Sequence, residues 1–449
     1  MTQANNDNLI VGLGATGQSV ARYLRAQGES FAVTDTRAAP AALESGAAAR
    51  WLQDAWTGPL DQVDTTGFQR IIVSPGVALG HPVLQRARAA GAELTGDIDL
   101  FADAAAAPVI AITGSNGKST VTALVAELLQ AAGWNITVGG NFGTPALDLL
   151  APTPQLYVLE LSSFQLERSE RLAPAAAAIL NISPDHLDRY ADLNAYVQAK
   201  ARILDRAERG VLNRDDAWLR ELPLPAGLQV ISFGLDAPHA GSDFGVRAAT
   251  EGGPDLVRGD ETLLATDRLR LRGQHNWANA LAALALAWPW LESGRSRAEA
   301  LAALADFAGL PHRSQWIAEV GGVEYINDSK GTNVGATLAA LRGTPGPLVL
   351  IAGGQGKGQD FAPLADYIPG KVRGVVLLGE DAPAIARALA SVVPVQRVDD
   401  MDAAVAQAAA WAEPGDTVLL SPGCASLDMY VDYQARGDDF ARAVRGLAA

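Results

Sequence analysis

The chain has 449 residues, more than one hydrophobic core normally organises, so two or three domains are expected. Hydrophobic residues make up 49% and charged residues 19%, ample material for cores, which excludes a disordered protein. A formal net charge of −15 excludes the basic footprint of a nucleic-acid binder, although local donors can still gather small anions.

Met1 to Asn8 is polar and lacks a signal pattern. The apolar run Leu9-Ile10-Val11 then leads into Gly12-Leu13-Gly14-Ala15-Thr16-Gly17, a helical stretch Gln18 to Gln27, and a second run Phe31 to Val33 that ends in Thr34-Asp35-Thr36-Arg37. That is a strand, turn, helix, strand unit of a parallel sheet. Ile71 to Val73 reads as a strand ending in the tight loop Ser74-Pro75-Gly76, and Val83 to Ala90 as a helix. Phe101 to Pro108 looks like a connector.

The pattern restarts with strand Val109 to Thr113, a glycine loop and helix Ser119 to Ala132. Tyr157 to Glu160 and Ala178 to Asn181 are further strands, and Gln274 to Ala287 a helix. A third unit starts at Leu310-Pro311, with strands Val323 to Ile326, Leu348 to Ala352, Val375 to Leu378 and Thr417 to Leu420. Alternating strands and helices in all three blocks argue for three α/β domains. The single cysteine, Cys424, permits no intrachain disulfide and fits a reducing compartment. No apolar run approaches the ~20 residues that span a bilayer, so no membrane insertion and a cytoplasmic location are expected.

Chemistry concentrates at Gly114-Ser115-Asn116-Gly117-Lys118-Ser119-Thr120, between a predicted strand and a predicted helix. Glycines let backbone amides face phosphates, and the helix N-terminus adds a favourable dipole. Lys118 would neutralise β and γ phosphates, and the Ser119 hydroxyl would ligate Mg²⁺. The common spacing G-x-x-x-x-G-K needs a glycine where Ile112 stands, so the loop is a shortened variant. Glu160, at a strand's C-terminal end, is placed to hold the ion, as ligands gather there in open sheets. His186, shortly after a strand, and Lys200 join this set.

These stretches together resemble the Mur ligases, ATP-dependent amide-forming enzymes of cell-wall peptide synthesis. The likeness is carried by Thr113 to Thr120, Leu159 to Gln165, Asp185-His186-Leu187-Asp188, Gly273-Gln274-His275-Asn276, Leu310-Pro311-His312-Arg313, Asn327 to Asn333 and Ser421 to Asp428. It covers nearly the whole chain in order. It implies three domains: an N-terminal Rossmann-like UDP-binding domain over 1–97, a central P-loop ATPase-like parallel-sheet domain over 98–310, and a C-terminal Rossmann-like α/β domain over 311–449 that binds the amino acid. Asp35-Thr36-Arg37, Ser74-Pro75-Gly76, Gly96-Asp97-Ile98, Gly353 to Lys357 and the Ser426 to Tyr433 tail point to the family branch whose substrates are UDP-N-acetylmuramoyl-L-alanine and D-glutamate.

The resemblance also implies roles. Lys200 would be carbamylated by CO₂ and, with Ser119, Glu160 and His186, face two magnesium ions. Asn141 would line the reacting centre, though Asn after Gly-Gly is also a common turn residue. Asn276 would read adenine, Arg313 meet the ATP phosphates and Asp328 bond the ribose, with Lys330 and Thr332 reaching phosphate or carboxylate. Lys330, Thr332, Lys357, Ser426, Leu427 and Tyr433 would recognise D-glutamate, Tyr433 standing where a phenylalanine is common. Gly14, Thr16, Asp35, Thr36, Arg37, Ser74 and Gly76, with Asn141 and His186, would hold the UDP substrate. A monomer is expected.

Three other readings stay open on sequence. Gly12-x-Gly14-x-x-Gly17 with Asp35 also fits a nicotinamide-dependent oxidoreductase, which leaves the Lys118 loop unexplained. A non-catalytic ATP-binding scaffold predicts no acceptor-dependent phosphate release. Another ligase of the superfamily would use L-glutamate, or a folate in the manner of a folate polyglutamate synthetase.

Overall fold

The computed structural model describes residues 7–37, 56–249, 252–271, 273–291 and 296–447, and its three sheets follow one another along the chain. The first is all parallel, in the order Trp56–Thr57, Phe31–Asp35, Asn8–Val11, Arg70–Val73, Glu93–Thr95. The second has nine strands: Glu261–Ala265, Asp255–Arg258, Phe244–Arg247, Gln229–Phe233, Arg209–Asn213, Ala176–Ile179, Val109–Thr113, Leu156–Glu160 and Ile136–Gly140. Its parallel body ends in two antiparallel pairings at the Glu261–Ala265 edge, so the expected parallel sheet is mixed at that margin. The third runs Gln315–Val320, Val323–Asn327, Thr417–Leu420, Leu348–Gly353, Val372–Leu378, Val395–Arg397, parallel except for its first pair.

The central sheet is buried on both faces, as the near-continuous apolar strands Val109–Thr113 and Leu156–Glu160 require. One face, with Ile110, Ile112 and Val158, packs on Leu124 and Leu128 of helix Lys118–Ala131 and on the alanine-rich helix Gln274–Leu291. The other, with Ala111, Tyr157 and Leu159, joins Phe101, Leu13 and Val20 in a core that continues into the first unit. That shared core sets the orientation of the two units. Losing Leu128 to alanine would cost about 2–5 kcal/mol, because it is fully buried in the core on the first face.

Two expectations change. The connector predicted from Phe101 is the end of a helix, Asp97–Ala104, started by Gly96 and favoured by Asp97 and Asp99 in its positive first turn. Helix Gln274–Leu291 runs past Ala287 with Pro289 inside it, the buried side chains Trp288 and Leu291 continuing its apolar face. No described helix is long and apolar enough to cross a membrane.

Candidate active site

The phosphate loop leaves strand Val109–Thr113 at its C-terminal end. Gly114 (φ +149°) and Gly117 (φ +81°) make the turn; a Cβ on Gly114 would meet Leu180 at 3.0 Å, and one on Gly117 would meet Asn279 Oδ1 at 2.6 Å. Helix Lys118–Ala131 starts without a side-chain cap, so its first amides remain available to an anion. Lys118 folds back over the loop, its Nζ donating to the carbonyls of Gly114 and Ser115 at 2.8 Å each. Beneath, Ser115 Oγ donates to Ser183 O (3.0 Å) and lies 3.1 Å from the Tyr196 hydroxyl, while Asn116 N donates to Asn181 Oδ1 (2.8 Å). Thr120 lines a cleft together with Asn116 and Gly117.

Glu160 closes the neighbouring strand and organises the reacting centre. Its carboxylate accepts from Ser119 Oγ (2.5 Å) and from Asn141 Nδ2 (2.7 Å). Arg313 of the C-terminal unit donates to the same Ser119 hydroxyl at 2.6 Å. Lys200 is buried, donates to Gly114 O at 2.9 Å and stands over the Tyr196 ring; burial, with Lys118 adding to it, holds its pKa well below that of an ordinary lysine. His186 sits in a left-handed conformation (φ +56°) with its ring edge-on to Phe164, and burial lowers its pKa against the pull of Asp185. A left-handed non-glycine residue is strained and persists only where its surroundings fix it.

The C-terminal unit is docked on this centre. Asn333 Nδ2 donates to Asn116 Oδ1 (3.1 Å) and Asp185 Oδ2 (3.2 Å), and Asn116 Nδ2 returns a bond to Asn333 Oδ1 (3.3 Å). Lys357, also left-handed (φ +53°), brings Nζ to 3.7 Å from Asp185 Oδ1. Asp328 accepts from Ser421 Oγ (2.8 Å) and the Ser314 amide (3.1 Å), and burial pushes its pKa up to about 6. Lys330 stands over the Tyr433 ring; burial, with Arg313 and Lys118 adding to it, pushes its pKa down to about 8.

Three clefts meet here. One of 400 Å³ is lined by Gly117, Thr120, Asn276, Asn279, Arg313 and Asp328. A second, of 360 Å³, holds Lys118, Ser119, Asn141, Glu160, His186, Lys200, Lys330, Thr332, Lys357, Ser426, Leu427 and Tyr433. Ser426 is buried there, while Leu427 is 67% exposed at its mouth. The third, of 480 Å³, is lined by Gly14, Thr16, Asp35, Thr36, Arg37, Ser74 and Gly76. Arg313 and Lys330 line both the first and the second cleft, and Asn141 both the second and the third, so the clefts adjoin in one row from the phosphate loop to the N-terminal unit. Every site residue expected from sequence lies along it, or, like Gly114, forms the loop beneath it.

In the third cleft helix Ala15–Ala26 also starts without a side-chain cap, at Gly14, a second set of amides for phosphate. Burial would raise the Asp35 pKa, but bonds from Arg37 and from the Leu13 amide (2.6 Å) hold it at about 2. Its oxygens are already engaged by protein donors, which differs from the free ribose acceptor of a dinucleotide fingerprint.

Residues 112–287 match the Mur ligase middle domain, 6–96 the N-terminal domain of MurD-like Mur ligases, and 312–424 the glutamate ligase domain of Mur ligases. A UDP-N-acetylmuramoylalanine–D-glutamate ligase from Hahella chejuensis is 50% identical over 442 residues, 98% of each chain. The chain belongs to the Mur ligase family. Its counterpart of the same name from Nitrosococcus oceani is 51% identical over 98% of this chain and 96% of its own. Among solved structures, a pseudomurein peptide ligase type C from Methanothermus fervidus shares the fold, with a TM-score of 0.64 at 18% identity over 98% of this chain and 99% of its own. The nicotinamide reading of the first glycine turn gives way to a Mur ligase N-terminal domain.

Several residues of this Mur ligase site were not singled out from sequence. Asn279 presses on the phosphate loop three residues after Asn276, a spacing that puts both on one helix face. Asn181, Ser183 and Tyr196 support the loop, and Asp185 with Asn333 joins two units. Arg436 is buried and donates to Ser329 O (2.7 Å) and Cys424 O (3.1 Å), tying helix Tyr433–Gly446 to two site loops. Only Asn279 left a signal in local spacing; the others depend on contacts between distant segments.

Proposed function

We propose that this chain joins D-glutamate to UDP-N-acetylmuramoyl-L-alanine in the cytoplasm, with ATP converted to ADP and phosphate, as a monomer of three units over residues 1–97, 98–310 and 311–449. Residues 1–6, 38–55, 250–251, 272, 292–295 and 448–449 of those spans lie outside the described residues. The observation that carries the reading is charge. In a chain of net charge −15, the reaction cleft collects the cations Lys118, Arg313, Lys330 and Lys357, with the buried amine of Lys200 beside them, against Glu160, Asp185 and Asp432. Four half-buried cations gathered in one cleft of an acidic chain suit phosphates and carboxylates.

The substrate's L-alanine carboxylate would attack the γ-phosphorus of ATP, releasing ADP and leaving an acyl phosphate. The amine of D-glutamate would attack that carbonyl, lose a proton, and expel phosphate from the tetrahedral intermediate. Negative charge builds on oxygen at each step. Lys118 and the amides of helix Lys118–Ala131 would stabilise it at the phosphates, and Asn141 at the carbonyl. Asn276 would bond adenine and Asp328 the ribose. The uncapped amides after Gly14, with Thr16, would hold the UDP pyrophosphate, and Thr36, Arg37, Ser74 and Gly76 the nucleoside end. Lys330, Thr332, Lys357, Ser426, Leu427 and Tyr433 would frame D-glutamate.

The donor set fits magnesium. Among the described residues no cluster of three or more His, Cys, Asp or Glu could cage a metal, whereas Ser119 and Glu160 offer adjacent hard oxygens, and Mg²⁺ typically takes one or two such groups plus substrate phosphates. Ser119 and Glu160 would hold one ion, and His186 with a carbamate on Lys200 a second. When bound, the ions supply charge neutralisation at the transferring phosphoryl group. Carbamate formation needs a neutral amine, and burial of Lys200 favours that form. Docking of the C-terminal unit through Asn333 would help to keep water from the acyl phosphate. The test is phosphate release from ATP and Mg²⁺ that requires both the UDP substrate and D-glutamate, with the new amide identified by mass.

A further inference from the structure

The ring of His275 takes no part in the chemistry above. It stands at the start of helix Gln274–Leu291 in the central unit and lines the nucleotide cleft. Its Nδ1 is buried and has no hydrogen-bond partner among the described residues. Two glycines enclose it. A Cβ on Gly343 would lie 2.5 Å from Nδ1 and 2.6 Å from Cε1; one on Gly273 would lie 3.0 Å from Cε1 and 3.1 Å from Nδ1. Gly343 is the last residue of helix Val334–Gly343, which belongs to the C-terminal unit. The ring therefore fills a slot spanning two units, and the slot exists because two side chains are missing.

The same helix is fastened at its other end. Asn333 caps it through the Ala336 amide (2.8 Å) and bonds Asn116 and Asp185 of the central unit. Gly335 lies so close to Ser183 that a Cβ there would meet its Oγ at 2.7 Å. Between the two fastenings Ala336, Ala339 and Arg342 line the nucleotide cleft.

We propose that the seat of His275 against Gly343 is a positioning contact that fixes the far end of helix Val334–Gly343, making that helix a rigid wall of the ATP cleft. The inference rests on the reading of that cleft as the ATP site. Ala340 and Leu341 seat the far end in the core of its own unit, and the His275 contact is what ties that end to the central unit. With both fastenings, the helix's cleft-facing side is held across its whole length, about 15 Å at 1.5 Å per residue. Burial pushes the imidazole pKa down to about 4, so the ring is neutral near pH 7 and acts by shape.

Gly343→Ala isolates the contact. The residue lies within a helix and outside the left-handed region, and alanine is the better helix former, so the backbone favours the change and only the ring opposes it. The measurements are ATP affinity of the full chain by calorimetry and its unfolding midpoint without nucleotide. Gly343→Ala is expected to bind ATP about tenfold more weakly, a usual size for coupling between sites, with no lower midpoint. His275→Ala empties the slot, so the variant carrying both changes should bind ATP no more weakly than His275→Ala alone. Unchanged affinity in Gly343→Ala, or a double variant that sums both losses, would overturn the proposal. A wild-type chain that binds no ATP would instead refute the reading of the cleft beneath it.

Discussion

Asn333→Asp separates two jobs done by one side chain. The side-chain Oδ1 caps helix Val334–Gly343, and aspartate caps as well as asparagine. The amide nitrogen donates to Asn116 Oδ1 and to the Asp185 carboxylate across the boundary between units, and aspartate cannot donate there. A bond to a neutral acceptor contributes about 0.5–1.5 kcal/mol and one to a charged acceptor about 1.5–3 kcal/mol. The new carboxylate would also face Asp185, which is buried. Water can re-solvate these groups when the units part, so the docked state should lose about 2–3 kcal/mol rather than the full sum. At 1.4 kcal/mol per tenfold this is roughly 30- to 150-fold in ATP affinity. Calorimetry should find that weakening in Asn333→Asp with the ligand-free unfolding midpoint nearly unchanged, whereas Asn333→Ala should lose the cap too and melt lower. ATP binding by Asn333→Asp within about threefold of wild type would refute the claim that this amide holds the units together.

Other consequences can be checked separately. With ¹³C-labelled bicarbonate, wild-type protein should give a bound carbamate resonance that Lys200→Arg lacks; the same signal in both would remove Lys200 from that role. ATP affinity should be greatest between pH 6 and 8. It should fall as pH drops through about 6, where Asp328 gains a proton, and as pH rises through about 8, where Lys330 loses one. A flat profile across that range by calorimetry would contradict both assignments. Asp35→Asn should loosen Arg37 and raise KM for the UDP substrate about 10- to 100-fold, as the lost bonds are charge-assisted, while KM for ATP stays put because Asp35 lines a different cleft. Equal effects on both constants would mean that the N-terminal unit had been damaged as a whole.

The strands were legible where apolar runs end in glycine or polar turns, as at Val109–Thr113 and Leu348–Gly353, because buried parallel strands have no polar face to blur the signal. The antiparallel edge from Phe244 to Ala265 was not: those strands are short, and their buried residues fall in adjacent pairs rather than in alternation. Helix Asp97–Ala104 was hidden because its start, Gly96-Asp97-Ile98-Asp99, also reads as a loop. Within the site, residues in compact motifs could be named from sequence, since the phosphate loop carries its chemistry in consecutive positions. Asp185 and Asn333 could not be paired, being 148 positions apart and brought together only by the docking of two units. The slot around His275 was equally silent, as it depends on the absence of side chains at Gly273 and Gly343.

The most direct test of the account is phosphate release from ATP and Mg²⁺ with UDP-N-acetylmuramoyl-L-alanine, comparing D-glutamate, L-glutamate and no amino acid. Release and a new amide with D-glutamate alone is the expected result; release that ignores the amino acid or the UDP substrate would contradict the ligase reading while leaving the phosphate loop intact.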